Sequence, residues 1–263
     1  MQKLEKPSIK DSFKSILNNK PLFILTITEF LSAFSMDSGL NYYYRNVLGL
    51  SSMSTIVGIP GAFVSPSSYA YVTKARERFS TRTLWIVSSH LGDFLMIFVF
   101  LIGSINKNYK KLAVMIPAFM IRETIWMSIY GIKSVIPEEL RNETMDYGEW
   151  KNGYRTEGMT GVTKDLAKKL VGTLGASIKA FILSKIGYVE GAGFGGQSER
   201  TEFLLFAMST LLPVATCIFG LIPKFFYNFS KEERDRMYRE LAERRQAVAD
   251  SVKAVDDAVP ESN

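Results

Sequence analysis

Runs of about twenty mostly apolar residues alternate along this chain with short charged segments, and about twenty is the length that crosses a 30 Å hydrocarbon layer. Six such runs occur, at 21–44, 53–73, 84–103, 112–135, 163–188 and 203–226. The first five carry polar or helix-breaking interruptions: Glu29 and Asp37 in the first, Pro60 and Pro66 in the second, His90 and Asp93 in the third, Arg122 and Glu123 in the fourth, several lysines in the fifth; the sixth is the cleanest. Prolines are tolerated in a membrane bundle because neighbouring helices re-satisfy the carbonyls they free. Residues 1–20 are polar, with Ile9, Phe13, Ile16 and Leu17 at helical spacing, so they predict an amphipathic helix lying in the headgroup layer. Residues 228–263 predict a helical tail: Ser230 and Glu233 have capping-box spacing, and Met237, Leu241, Val248 and Val252 form a thin apolar stripe. That stripe is too narrow for a core helix, so a solvated or surface-lying helix is expected. The pattern predicts an all-α membrane protein with six transmembrane helices over 21–227.

Composition and charge set the orientation. The chain has 263 residues, 47% hydrophobic, and a net charge of +6. A basic balance suits either nucleic acid or positive-inside loops. With the N-terminus in the cytoplasm, twenty basic residues fall in inside segments and five outside, so a multi-pass protein of the cell (plasma) membrane with both termini cytoplasmic is expected. Lys107, Lys110 and Lys111 are a local exception. Tail cations alternate with Glu232, Glu233, Asp235, Glu240 and Glu243, which argues against nucleic acid. Cys217 is the only cysteine, so no internal disulfide or multi-thiolate metal site can form, and its apolar surroundings mark it as a packed residue. No secretory-signal pattern opens the chain. With a single histidine and no ligand-like spacing of carboxylates, neither a hydrolytic triad, a metal cluster nor a cofactor is expected, and the chain reads as a non-enzyme.

Ionisable groups inside a span are expensive, so they face one another or a polar cavity. In the fifth run Asp165, Lys168, Gly172, Gly175 and Lys179 follow at steps of three and four and share one helix face, and Asp165 can pair with Lys169. Such a face suits the lining of a wet path, while Lys164 and Lys185 at the ends suit snorkelling. Glu29 and Asp37, eight apart, lie on roughly one side of the first span. Asp37 stands beside Ser38, Asn41 and three tyrosines, a setting that fits sugar hydroxyls and ring faces or an interhelical hydrogen bond. The same two readings hold for Asp93 with His90 and for Arg122 with Glu123 near Trp126, with a satisfied structural role favoured for His90. Gly191–Gly196 spells G-x-G-x-x-G, but no strand precedes it, so nucleotide binding is not expected.

Between the fourth and fifth runs lies Asp146–Gly158, DYGEWKNGYRTEG, dense in charge and glycine and read as a cytoplasmic loop. The string resembles the pattern D-Y-G-E-W-K-x-G-x-R-x-E-G of the glycoside–pentoside–hexuronide:cation symporters, the melibiose-permease-like branch of the major facilitator superfamily. It is met by Asp146, Tyr147, Gly148, Glu149, Trp150, Lys151, Gly153, Arg155, Glu157 and Gly158. Asn18–Pro21 and Ile186–Tyr188 support the likeness, while Glu143 stands where the family often has Asp.

The resemblance covers nearly the whole chain but only the C-terminal half of such transporters. It implies one six-helix half-bundle of a carrier of sugars or glycosides, coupled to Na⁺ or H⁺ and working by alternating access. It implies a cytoplasmic gate made by Asp146, Tyr147, Glu149, Arg155 and Glu157 through charge pairs to the other half. It places Lys169, eighteen residues before Gly187, on the transport path, to which Lys168, Asp165, Asp37, Glu29, Arg122 and Trp126 are added as candidates. It also implies a missing partner, either an N-terminal half-transporter or a second copy, beside the lipid bilayer. The rival expectation is a stand-alone six-span protein acting as a homodimeric transporter or sensor.

Overall fold

Some of the interruptions in the apolar runs break the helices, and others lie inside continuous ones. The computed structural model describes residues 18–33, 39–153, 169, 172 and 174–258, with side chains to residue 251, and among them every regular element is a helix. Helix α1 (Lys20–Ser32) starts at Asn19, whose side chain accepts from the Leu22 N–H at 3.0 Å, and Pro21 occupies the first turn, where a missing N–H costs nothing. Helix α2 (Leu40–Asn46) follows Gly39, which has a left-handed φ of +65°. The first predicted span is therefore two helices.

The second predicted span also breaks. Helix α3 (Met53–Val64) gives way at Pro66 to a 3₁₀ turn over Pro66–Tyr71, and helix α4 (Val72–Arg78) follows. Proline cannot donate into a continuing ladder. The Ser67 and Ser68 hydroxyls bond back to the Val64 and Ser65 carbonyls and tighten the turn. Gly131 fills the break: a Cβ there would lie 2.8 Å from the Ser68 carbonyl oxygen, and its N–H donates to Ser68 Oγ at 2.6 Å.

Helix α5 (Thr81–Ser104) runs on into a 3₁₀ segment, Ile105–Lys110. Helices α6 (Leu112–Met127) and α7 (Tyr130–Asn152) meet at a 42° bend. Helix α7 continues far past the apolar limit at 135 and ends at Gly153, φ +79°. The first half of the charged string is thus helical rather than loop, because nothing before Gly153 stops the helix. Helix α8 spans 174–185, and helix α9 (Glu199–Phe225) and helix α10 (Lys231–Ala258) complete the chain. Ser80, Ser198 and Ser230 each accept from a backbone N–H at the helix starts they precede.

Two stretches, Thr81–Lys110 and α9, are long and apolar enough to cross a membrane, and the bent pair α6–α7 makes three if counted as one span. Helices α5 and α9 pack together at the centre, with α1 on α9, α6 and α7 on α5, and α3 on α6. The basic exception of the sequence has a partner: Lys107 pairs with Glu199, and Lys110 lies 2.5 Å from Glu202, both acids in the first turn of α9. The Lys107 hydrogen bond holds the Glu199 carboxyl below its ordinary range.

Two apolar clusters fill the bundle. One, near Lys107, centres on Phe206, which stacks on Tyr109 and Phe100. The other, at the end carrying Asp146, joins Trp85, Ile136, Leu140, Tyr147 and Trp150 to Met237 and Leu241 of the tail. Of the two expectations for the tail, solvated or surface-lying, its first half shows the second, as a helix lying on the bundle. The first half of α10 is docked on α7, burying Met237 and Leu241, whereas Val248 remains exposed. Burying two such side chains contributes about 3–6 kcal/mol before ordering costs.

Candidate functional site

Against the second apolar cluster, whose Leu25 and Trp85 line it, lies a cavity of about 420 Å³, walled by α1, α5, α7 and α9. Gly220 lets α1 approach α9, since a Cβ there would fall 2.3 Å from Ser32 Oγ. Glu29 reaches the cavity from α1 and pairs with Arg141 of α7 at 2.9 Å. Of its two sequence readings, the structure thus shows the interhelical bond, at a position that also lines the space.

Lys224 of α9 is only 3% exposed, and its Nζ lies 2.9 Å from His90 Nε2 on α5. The direction of this hydrogen bond follows the imidazole tautomer: with the ring proton on Nδ1 the lysine donates to Nε2, and with it on Nε2 the ring donates to the amine. His90 Nδ1 points at Asp93 Oδ2 from 3.6 Å, beyond hydrogen-bond reach, and has no other partner among the described residues. The satisfied role expected for His90 is therefore half met. Lys224 makes no ion pair among the described residues and stands on the opposite side of the imidazole from Asp93.

Cys217 completes the group, its Sγ lying with His90 and Asp93 inside 4.8 Å. The thiol donates to the Val214 carbonyl as a packed residue would, and Lys224 already supplies the positive charge that a metal would bring. Beside the cavity, Arg122 donates twice to the Gly92 carbonyl, pairs with Glu123 at 2.6 Å and lies 4.8 Å from the Trp126 ring centre. Lys133, which lines the cavity, stands 3.9 Å over the same ring and makes no ion pair among the described residues.

Asp37, Asp165, Lys168, Arg155 and Glu157 lie outside the described residues. Lys169 is exposed and does not line this cavity. Sequence reading passed over Lys224 and Lys133. A signal was available: Cys217, Gly220 and Lys224 recur at three and four, one face of a helix, as do His90 and Asp93 at three.

The charged string forms a second site at the end of α7. Arg245 of the tail reaches Glu149 at 2.7 Å and Asp146 at 3.4 Å. Trp150 Nε1 donates to Glu240 at 2.6 Å, and its carbonyl accepts from Arg244. Tyr147 packs edge-on against Phe229. The partners of these residues expected on another half-bundle are met, among the described residues, by the chain's own tail.

Deeper, Glu143 pairs with Arg234 at 2.5 Å and accepts from the Tyr227 hydroxyl. Burial pushes the Glu143 carboxyl up, against the pull of Arg234. A raised carboxyl makes tail docking strongest below its ordinary range and weaker as pH rises through the raised value. Arg234→Met, which leaves Glu143 buried without its cation, is expected to weaken docking by about 3 kcal/mol at neutral pH and to steepen that pH dependence. Trypsin cleavage of α10 measured against pH checks both; a flat profile in the variant counts against the assignment.

Comparison with known proteins bears on both sites. A family model described as MFS/sugar transport protein matches residues 1–231. An Escherichia coli (strain K12) protein provisionally named a 2,3-dihydroxypropane-1-sulfonate exporter is 27% identical over 247 residues, covering 87% of this chain and 49% of that protein. A Salmonella typhimurium protein, provisionally named a sulfoquinovose importer, is 26% identical, covering 91% and 49%. An E. coli glucuronide carrier protein homolog is 24% identical, covering 82% and 45%. The chain spans about half the length of the curated relatives it matches.

Proposed function

Since this chain belongs to the MFS/sugar transport protein family, a family of membrane carriers and not of enzymes, we propose that it is one six-span half of a secondary carrier for an anionic sugar or polyol derivative, coupled to Na⁺ or H⁺. Carriers of this superfamily hold solute between two halves related by an axis along the membrane normal. The observation that carries the reading is the match over 1–231 at only about half of each relative's length. A second half, on the same polypeptide or another, would supply the facing wall.

The names of the three relatives each specify an anion: a sulfonate, a sulfonated sugar and a glucuronide. Lys133 suits such a solute, because it is a cation that lines the cavity and makes no ion pair among the described residues. The charge balance of the flanks supports cytoplasmic termini in the cell membrane. The α7–α10 junction then lies on the cytoplasmic side as a latch of exposed ion pairs. Each such pair contributes only about 0–1 kcal/mol, so several together bias an equilibrium without locking it.

The test is flux. Proteoliposomes holding this chain with the N-terminal six spans of the E. coli glucuronide carrier homolog should accumulate a glucuronide down an imposed H⁺ or Na⁺ gradient, and Lys133→Met should lower that uptake. Proteoliposomes with this chain alone should not. Accumulation by the chain alone would replace the half-carrier reading with a stand-alone six-span transporter.

A further inference from the structure

We propose that the cleft between the turn joining α4 to α5 and the start of α10 binds the headgroup of an anionic phospholipid. The cleft measures about 710 Å³. Small-molecule sites run to about 300–1,000 Å³, so a phosphodiester with its alcohol fits the space. Four segments build it. Arg76 and Arg78 come from α4, Arg82 from the first turn of α5, Tyr227 from the stretch after α9, and Lys231 and Arg234 from the first turn of α10. Two bonds fix their spacing: Arg82 Nη1 donates to the Phe225 carbonyl at 3.4 Å, and Arg234 Nη2 donates to Thr81 Oγ1 at 3.2 Å.

The charges that face the cleft identify the ligand class. Five cations line it against two acids, Glu77 and Asp235. Arg76 is already paired with Glu139, and Arg234 with Glu143. Arg78, Arg82 and Lys231 make no ion pair among the described residues, and neither do Glu77 and Asp235. Three cations against two acids leave an excess of one positive charge, which matches the single negative charge of a phosphodiester. Guanidinium forks take phosphate oxygens two at a time. The carboxylates of Glu77 and Asp235 accept from the hydroxyls of a polyol headgroup such as glycerol.

The level of the cleft selects a lipid over a soluble phosphate. The spanning stretch that holds α5 begins at Thr81, and α9 ends at Phe225. The Arg82 bond sets these two ends level, so the cleft opens where the hydrocarbon layer stops. Phe79 lines it, and Phe79, Phe225 and Phe226 are all exposed, which gives the stems of acyl chains an apolar surface beside the headgroup. A free anion has no use for those rings, whereas anionic lipids are drawn to basic pockets at this level. The assignment needs α5 and α9 to cross the bilayer, as membership of a family of membrane carriers implies, and is independent of the solute carried and of a second half.

Native mass spectrometry of the full chain in dodecyl maltoside tests this, with phosphatidylglycerol, phosphatidylethanolamine or glycerophosphoglycerol as the titrant. One phosphatidylglycerol should bind about tenfold more tightly than phosphatidylethanolamine, and the deacylated headgroup should not bind at the same concentrations. Arg82→Gln combined with Lys231→Gln should lower phosphatidylglycerol affinity about tenfold. Arg200→Gln combined with Arg239→Gln, at exposed cations outside the cleft, should leave it unchanged. Arg78→Gln alone should lower it about threefold, and gives the same reading if the double variant does not fold. Unchanged affinity in the Arg82 and Lys231 variant or in Arg78→Gln overturns the proposal, as does an equal loss in the Arg200 and Arg239 variant. Equal binding of phosphatidylethanolamine overturns it too, because the excess charge would then select nothing. Binding of glycerophosphoglycerol as tightly as the lipid would assign the cleft to a soluble phosphate and overturn the lipid assignment.

Discussion

Trp150→Ala is expected to release α10 from α7. The indole is 8% exposed, packs edge-on against Tyr147 and donates to the Glu240 carboxylate at 2.6 Å. Truncating a buried tryptophan costs about 3–5 kcal/mol, and the charge-assisted hydrogen bond is lost with it. A weakening of about 3 kcal/mol multiplies the undocked population roughly a hundredfold. Cleavage tracks that population when redocking is fast, so trypsin should cut at Arg239 and Arg244 about a hundred times faster in the variant. Trp150→Phe keeps most of the packing and should fall between. Cleavage of Trp150→Ala at the wild-type rate would show that the tail is not held through this side chain. The same release would uncover Asp146 and Glu149 for partners on a second half-bundle, so the tail competes for the residues that a cytoplasmic gate would use.

The second large effect belongs to the other cluster. Phe206 is fully buried, with ring centres of Tyr43 at 5.3 Å, Tyr109 at 5.5 Å and Phe100 at 5.7 Å. Gly103 leaves it room, since a Cβ there would meet Phe206 Cζ at 2.3 Å. Phe206→Ala empties the meeting point of α2, α5 and α9. In a soluble protein the loss would be about 3–5 kcal/mol. Here the unfolded helix stays in lipid, so the transfer part largely cancels and the cavity and lost ring contacts remain. The expected loss is about 3 kcal/mol, read as a shift in unfolding free energy in bicelles. Phe206→Leu should lose less than half of that. A loss below about 1 kcal/mol would mean the cluster re-collapses around the void.

Much of this arrangement was legible in the residues. The helices α5 and α9 follow from predominantly apolar runs of spanning length, and their starts from Ser80 and Ser198. The family was legible in Asp146–Gly158. Less legible were the breaks. Pro60 and Pro66 are both prolines in one run, yet α3 continues through Pro60 and stops at Pro66. The difference is that serine hydroxyls close the turn after Pro66 and Gly131 of a distant helix packs into it.

The candidate site divides in the same way. Glu29, Arg122 and Trp126 were recognisable because a charge or a large polar ring inside an apolar run must have a reason. Lys224 was not, since at the edge of a run it reads as one more inside cation. Likewise the stripe of Met237 and Leu241 is too thin to announce its own burial.

By itself the sequence determined that the apolar runs are helical, which of their faces are apolar and which charges stand where charges are costly. These follow from local propensity and from the price of dehydrating an ion, and neither depends on what lies across the bundle. Only the tertiary structure decided that Lys224 meets His90, 134 positions away, and that the tail covers Asp146 and Glu149. Such pairings arise from how whole helices pack, and periodicity along one helix carries no information about the register of another.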